Sequence, residues 1–392
     1  MFLVLIFNVM EPILSIVVPT KNRYKYLYEL VDVFLKDNYG DIELVIQDNS
    51  DDNTEFYSFI QPLLVNEKLK YAYTKEHLDV CANSDLSIIS SSGKYVCFIG
   101  DDDGYTSLLP KVAKWMDQNS VDCVSSYHPM FYWPDVPSST FNYSGCIVLD
   151  KDSLQVKKTN PLRILRKMLN QGCFSLDEIP RVYHGVVSRK VLNLIYEKTG
   201  SFFPGPSPDM ANAVGCALNA KNAYVIYAPL IISGTSSKST AGLGLAHKHV
   251  GKIEEKTFLP SYTLSTWFDI LPKFWTGPTI YAQSALYSLT QLDREDLKKE
   301  FNINRFYANF LTSYNDFSLL KPLMSKAKAN LLAIYYYKLI VFLIRVNCFV
   351  HNFVNKKIKK NRVLRNYAHL EDVKQFFKEQ YDSRLILMRI SI

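Results

Sequence analysis

The chain has 392 residues, 48% apolar and 21% charged, enough apolar surface for one large domain with an appendage or for two domains, and too much for global disorder. A net charge of +7 is modest for a nucleic-acid binder, so no nucleic-acid partner is expected. Aromatic residues reach 14%, a share that suits stacking on carbohydrate, an aromatic core or a membrane-proximal surface equally well.

Residues 1–8 are apolar but too short to span a bilayer, and they lack the charged start and cleavage site of a signal peptide. Residues 1–12 therefore read as an apolar flap ahead of the core, and cytoplasmic chemistry is expected. From residue 13 onward short β-branched runs alternate with helical patterns. Strands are expected over 13–19, 42–46, 69–73 and 95–99, with helices over 24–35, 54–65 and 80–90 between them. A further helix (108–118) and strand (121–127) follow. Alternation of this kind implies a mostly parallel sheet with right-handed crossovers, whose ligands sit beyond the carboxyl ends of the strands. Later expectations are an antiparallel strand within 140–149, a helix over 163–170, an extended stretch over 182–188, a helix over 209–219 and a strand over 224–231. Residues 233–249, rich in Gly, Ser, Thr and Lys, read as a flexible loop.

Beyond about residue 255 helical patterns dominate. The apolar stretch 331–350 carries Lys338 and Arg345, each costing about 2.5–3.5 kcal/mol at the centre of a spanning helix. With Asn352, Lys356 and Lys359 they form one polar stripe, and Lys357 and Lys360 thicken its basic end. That pattern reads as an interfacial helix on an anionic membrane surface through 331–362, with a C-terminal helical bundle as the alternative. The seven cysteines (81, 97, 123, 146, 173, 216 and 348) form no C-x-x-C pair and read as reduced, buried thiols.

Three strand ends carry polar loops. The sharpest is Asp101-Asp102-Asp103 between Gly100 and Gly104, a crowding that a hard divalent cation, Mg²⁺ or Mn²⁺, would relieve while also holding a diphosphate. Asp48-Asn49-Ser50-Asp51-Asp52 ends the second strand and offers acceptors for a base or a ribose. The bland reading of this loop is a helix cap by Asp51 or Asp52. Pro19-Thr20-Lys21-Asn22-Arg23 ends the first strand, where backbone could lie along a nucleoside and Arg23 could reach phosphate.

These three loops, in this order and spacing, resemble the family 2 glycosyltransferases of the GT-A fold, well over residues 13–120 and weakly to about 250. The resemblance implies an α/β, Rossmann-like, mostly parallel sheet flanked by helices, with a C-terminal helical extension. It divides residues 13–250, the catalytic domain, into a nucleotide-sugar half (13–127) and an acceptor half (128–250); residues 251–392, where the resemblance is absent, read from their helical patterns and basic stripe as a helical, membrane-associated region. It implies inverting transfer from a nucleoside-diphosphate sugar to a saccharide acceptor, lipid-linked as in O-antigen or capsule synthesis, on the inner face of the cell membrane. Carried over by position, Pro19, Thr20, Asn22, Arg23, Asp48, Asn49, Ser50 and Asp101 would bind the donor. Asp102 would be the main metal ligand, with Asp101 or Asp103 assisting. Gly100 stands where the commoner pattern has Asp, so the DxD pairing stays open.

An inverting reaction needs a base. Asp209, after the rigid turn 203–208, matches the position best, with Asp177 and Glu178 as rivals. Lys238, His247 and His249 could close over the diphosphate, His247 as a further metal ligand. Two other readings remain, a nucleotidyltransferase acting on a sugar phosphate and a non-catalytic membrane-associated binding module. The first would want a glycine-rich phosphate loop, and residues 19–23 contain no glycine.

Overall fold

A computed structural model describes residues 11–37, 39–136, 143–149, 155–176, 178–239, 242, 250–358 and 363–385. Strands β1 (Leu14–Thr20), β2 (Ile42–Asp48), β3 (Leu69–Tyr73) and β4 (Tyr95–Phe98) pair in parallel in the order 3-2-1-4. Their near-continuous apolar runs are those of parallel strands covered on both faces. Ile16 and Val18 of β1 enter the core under helices α1 (Tyr24–Lys36) and α2 (Thr54–Ile60), whereas Val17 enters the opposite core with α3 (Val80–Ile89). The sequence expectation of one helix over 54–65 is corrected at Pro62, where a tighter 3-10 segment replaces α-helix over Gln61–Val65.

Beyond β4 the chain leaves the main sheet. Residues 99–103 carry it across to β5 (Gly104–Tyr105), and α4 (Leu108–Gln118) then returns it to β6 (Cys123–Tyr127). β5 belongs to a second, five-stranded sheet in the order β13-β8-β7-β12-β5, with β7 (Met130–Tyr132), β8 (Cys146–Val148), β12 (Ile231–Thr235) and β13 (Val363–Leu364). The main sheet is completed by β9 (Val156–Thr159), β10 (Gly185–Ser188) and β11 (Ala223–Pro229), in the order β3-β2-β1-β4-β10-β6-β11-β9. β10 runs antiparallel to both its neighbours, and β11 runs parallel to β6. The row Asp101–Asp103 is thus the joint between two sheets. The single strand expected over 224–231 breaks at Leu230, and Ser233–Thr235, expected in a loop, extend β12. Gly234 explains the difference. A Cβ there would lie 1.7 Å from the carbonyl oxygen of Asp102, so only glycine lets β12 run this close to the acid row.

Helices α5 (Pro161–Asn170), α6 (Arg189–Thr199) and α7 (Pro208–Asn219) cover the rest of the main sheet, and α8 (Gly277–Gln291) and α9 (Ile303–Tyr314) follow. Leu165 of α5, Met210 and Val214 of α7, Leu286 of α8 and Phe306 and Phe310 of α9 share one buried cluster, so packing runs continuously across residue 250. α10 (Leu331–Ile358) lies on α9. α11 (Leu370–Leu385) then returns to the opposite end, where Leu370, Val373 and Phe377 are buried with α1. Ion pairs Lys36–Glu371 and Lys374–Asp37 flank that contact, and Glu29 accepts from the amide of Leu370 at 2.8 Å. Cys81, Cys97, Cys123, Cys146, Cys173 and Cys216 are all buried.

Burial of Phe377 against α1 gives a direct test. Phe377→Ala should lower unfolding free energy by about 3–5 kcal/mol in urea denaturation. A loss under about 1 kcal/mol, the level of an ordinary surface substitution, would mean that α11 does not pack as described.

Candidate active site

The loops at the carboxyl ends of β1, β2 and β4 meet in one crevice and are stitched together by short polar contacts. Thr20 Oγ1 donates to Asp101 Oδ2 at 2.7 Å, and the amide of Asn22 donates to Ser50 Oγ at 2.7 Å. Asn22 sits in the left-handed region (φ 60°), which Asn tolerates, and its Nδ2 donates to Asp51 at 2.9 Å. Lys21 Nζ donates to Asn49 Oδ1 at 3.3 Å.

The acid row is buried, with Asp101, Asp102 and Asp103 at 3%, 5% and 1% exposure. Arg23 Nη2 stands 2.7 Å from Asp101 Oδ1 and 2.6 Å from Asp102 Oδ1, so two carboxylate oxygens converge on one nitrogen. Asp102 Oδ2 also accepts from the hydroxyl of Ser236 at 2.7 Å and its amide at 3.1 Å. Asp103 faces the other way. Its oxygens accept from His184 Nε2 at 2.7 Å, the amide of Gly100 at 2.6 Å and the amide of Gly234 at 2.7 Å. Within the protein the crowding of the three acids is offset by one guanidinium, one imidazole and backbone amides.

Burial pushes the Asp101 carboxyl above the ordinary carboxylate range; Arg23 pulls it back, and Asp102 pushes it up again. Asp102 is raised in the same way, by burial against the pull of Arg23. Burial also opposes ionisation of Asp103, but His184 and the two amides outweigh it and hold this carboxyl below its usual range. Arg23 itself occupies the N-cap of α1, a place that ordinarily takes Ser, Thr, Asp or Asn, and it makes no capping bond there. A cation at a helix N-terminus opposes the dipole, and Arg23 is held by the two carboxylates instead.

The other sequence candidates divide by what they touch. Asp48 is fully buried, taking hydroxyl bonds from Tyr24 and Tyr71 at 2.7 Å each and the amide of Ser50 at 2.8 Å. Asn49 Nδ2 donates to the carbonyls of Thr74 and Glu76. Asp48, Asn49 and Ser50 thus shape the floor of the crevice, while Pro19, Asn22 and Arg23 keep accessible surface at its edge. Asp209 stands in the first turn of α7, half-buried, with no hydrogen bond to any described residue. Burial raises its carboxyl above the ordinary range, while Arg181 and His184 pull it down. Glu178 is tied to the hydroxyl of Tyr227. Lys238 follows β12; Asp177, His247 and His249 lie outside the described residues.

Four participants were missed in the sequence: His184, Gly234, Ser236 and Trp133, whose indole donates to the carbonyl of Asp102 at 2.8 Å. His184 is stacked on Tyr183 at 3.9 Å and has φ 58°, a strained value for a histidine. A titratable residue between Tyr183 and Gly185 in an otherwise apolar stretch was the available signal, but its partner lies 81 positions away.

Residues 15–143 match the model of glycosyl transferase family 2, and the match takes in all three strand-end loops. The uncharacterized glycosyltransferase RP339 of Rickettsia prowazekii (strain Madrid E) is 32% identical over 99 residues, 25% of this chain and 30% of the relative. WcaA of Escherichia coli (strain K12), provisionally assigned as a colanic acid biosynthesis glycosyl transferase, is 26% identical over 96 residues, 24% of this chain and 34% of the relative. The chain thus spans about a third of the length of these curated relatives. Among solved structures, S. aureus TarS 1-349 in complex with UDP-GlcNAc aligns with TM-score 0.45 at 13% identity, covering 81% of this chain and 93% of TarS 1-349. The mannosyltransferase PcManGT from Pyrobaculum calidifontis, in complex with GDP-Man and Mn²⁺, aligns with TM-score 0.37 at 13% identity, covering 86% of each chain. Similarities of that depth decide nothing about substrate or metal. The family match and the observed sheet agree on a GT-A-type architecture.

The convergence on Arg23 has a signature in stability. Arg23→Met leaves two buried carboxylates without their cation and should cost about 3–5 kcal/mol at pH 8. Both acids have raised folded-state values, so lowering the pH protonates them in the folded protein and removes the need for the cation. The loss should therefore shrink at pH 5, as read by thermal or urea unfolding. An equal loss at both pH values would contradict the arrangement.

Proposed function

We propose that the chain is an inverting glycosyltransferase that moves a sugar from a nucleoside-diphosphate donor to a hydroxyl of a saccharide acceptor. The observation that carries the reading is the pair Asp101 and Asp102, converging on one cation at the carboxyl end of β4 inside a family 2 segment. Ligands of such sheets sit at that end, and the accessible edge formed by Pro19, Asn22 and Arg23 adjoins it.

The same pair fits a divalent ion. Two carboxylate oxygens already converge on one point, and Asp101 Oδ1 is buried without a hydrogen-bond partner among the described residues, meeting only the guanidinium. No group of three or more His, Cys, Asp or Glu side chains able to hold a metal occurs among the described residues. Mg²⁺ and Mn²⁺ sites commonly combine one or two carboxylates with substrate phosphate and water, so two suffice. Asp101 and Asp102 would hold the ion, which would neutralise the leaving diphosphate. Asp103, bound by His184 and two amides, keeps the loop in place. In the donor complex Arg23 would pass from the carboxylates to phosphate, the role its bidentate fork suits.

Asp209 acts as the base. Its carboxylate takes the acceptor hydroxyl proton as that oxygen bonds to the anomeric carbon; the bond from that carbon to the diphosphate oxygen breaks, and the nucleoside diphosphate departs with the electron pair. A carboxyl raised by burial and free of hydrogen bonds to described residues is a stronger base than an exposed one. Surface-polysaccharide synthesis as the setting is supported by the assignment of WcaA, and a lipid-linked acceptor by the exposed apolar face of α10. No helix among the described residues is long and apolar enough to cross a membrane. Peripheral attachment at the cytoplasmic face, through the exposed apolar face of α10, is part of this proposal.

Three measurements test the proposal. In a thermal-shift screen of UDP, GDP and dTDP with and without Mn²⁺, one nucleotide at a hundred times its Kd should add about 2.7 kcal/mol of stability, more with metal than without. Absence of any metal-dependent shift would overturn the metal-assisted reading. Asp209→Asn should lower kcat roughly 10²–10⁴-fold while nucleotide binding persists. In the wild type, kcat should fall on acidification at a pH above the ordinary carboxylate range, because the base is lost as its raised group protonates. A variant with unchanged kcat would remove Asp209 from the reaction.

A further inference from the structure

α10 is an unusual helix for a protein surface. Among its described apolar side chains only Ile334 and Val341 are buried, while Tyr335, Leu339, Phe342, Val346 and Phe349 are 41–71% exposed. More than half of the large apolar side chains that are exposed among the described residues lie between Leu331 and Val350. Contiguous exposure on that scale marks an interaction site.

The exposed stripe is one wall of a groove of about 780 Å³ between α9 and α10. Positions 335, 338, 339, 342, 345, 346 and 349 recur at helical spacing along that wall, and Leu311, Thr312 and Asn315 form the other side. Lys338 and Arg345 lie in it seven residues apart, about 10.5 Å along the helix axis. Both are held toward the end of α9. Lys338 Nζ donates to Asn315 Oδ1 at 3.4 Å, and Arg345 donates to the carbonyl of Thr312 and the hydroxyl of Ser313 at 3.2 Å each. Among the described residues no acidic side chain lines the groove.

An apolar trough with two oriented cations and no counter-charge complements an amphiphile whose head is anionic and whose tail is hydrocarbon. We infer that the α9–α10 groove seats an anionic phospholipid of the membrane, its phosphate between Lys338 and Arg345 and its acyl chains along Leu339, Phe342, Val346 and Phe349. A second copy of this chain would supply apolar surface but nothing that calls for the two cations. The inference deepens the peripheral-membrane reading given above and rests on it. It turns a general surface attraction into a defined lipid site, and the chain would be oriented on the bilayer by that site.

Co-sedimentation of the full chain with phosphatidylcholine vesicles, with and without phosphatidylglycerol, tests the site. Wild type should bind the phosphatidylglycerol vesicles and bind pure phosphatidylcholine far more weakly. Lys338→Gln combined with Arg345→Gln should weaken the anionic-vesicle binding roughly 30-fold, since each basic side chain near such a surface is worth about 1 kcal/mol. Phe342→Ser combined with Phe349→Ser, at positions exposed in the folded chain, should weaken it as well with the melting temperature retained. Wild-type binding that survives both double variants would overturn the groove while leaving surface attachment in place. No wild-type binding to either vesicle would overturn both. A wild-type dimer in light scattering that falls apart in the Phe342→Ser/Phe349→Ser variant would assign the face to a second copy and likewise overturn the lipid site. The nucleotide shift of the wild type, read in the same preparation, reports the transferase reading separately.

Discussion

Two buried carboxylates, Asp101 and Asp102, converge on a single guanidinium, and the arrangement of the crevice follows from that contact. Carboxylates cannot be buried side by side without compensation; the effective penalty is several kcal/mol for each unpaired ion. Here the compensation is divided. Arg23 serves the first two acids, and His184 with the amides of Gly100 and Gly234 serves the third. The division gives the row two sides, one that is built into the fold and one that faces a cation.

The rest of the molecule holds that division in place. β4 delivers the row from the main sheet, and β5 takes it into the second sheet, where β12 passes so closely that position 234 must be glycine. Leu370 at the start of α11 packs against Gly104, one residue after the row, so the last described helix buttresses the loop made by the fourth strand. α7 joins two cores, placing Met210 and Val214 in one and Cys216 in the other. Asp209 begins that helix and inherits its rigidity. Fixed first-turn geometry of this kind is what a base needs if its reach to an acceptor oxygen is to be set before the acceptor arrives.

Much of this was legible in the sequence, for reasons that also explain what was not. β1, β2 and β4 are apolar runs ended by polar loops, and parallel strands buried on both faces leave no other pattern. The acid row could be found because charge so dense beside an apolar strand has few explanations. Partnership could not be found. Arg23 reads locally as a polar turn residue, and the violation it represents, a cation at a helix start, becomes visible only when the cap is seen unmade. His184 answers Asp103 across 81 positions, and nothing local to either names the other. Residues 233–235, at the start of the loop expected over 233–249, were misread for a different reason. Gly and Ser there mark close backbone approach as well as flexibility, and Gly234 and Ser236 serve the former. The return of α11 to α1 rests on three apolar residues whose spacing would serve any helix.

If a divalent ion bound with the diphosphate takes the place of Arg23 between Asp101 and Asp102, as proposed, then Arg23 and the ion compete for the same two carboxylates. Loss of the free Mn²⁺ paramagnetic resonance signal on titration measures this directly, for wild type and Arg23→Ala, each with and without the nucleoside diphosphate that stabilises the wild type. Wild type alone is expected to bind Mn²⁺ weakly, and roughly tenfold tighter, about 1.4 kcal/mol, when nucleotide is added. A comparable gain is expected without nucleotide when Arg23 is removed. Equal Mn²⁺ affinity in all four samples would contradict it.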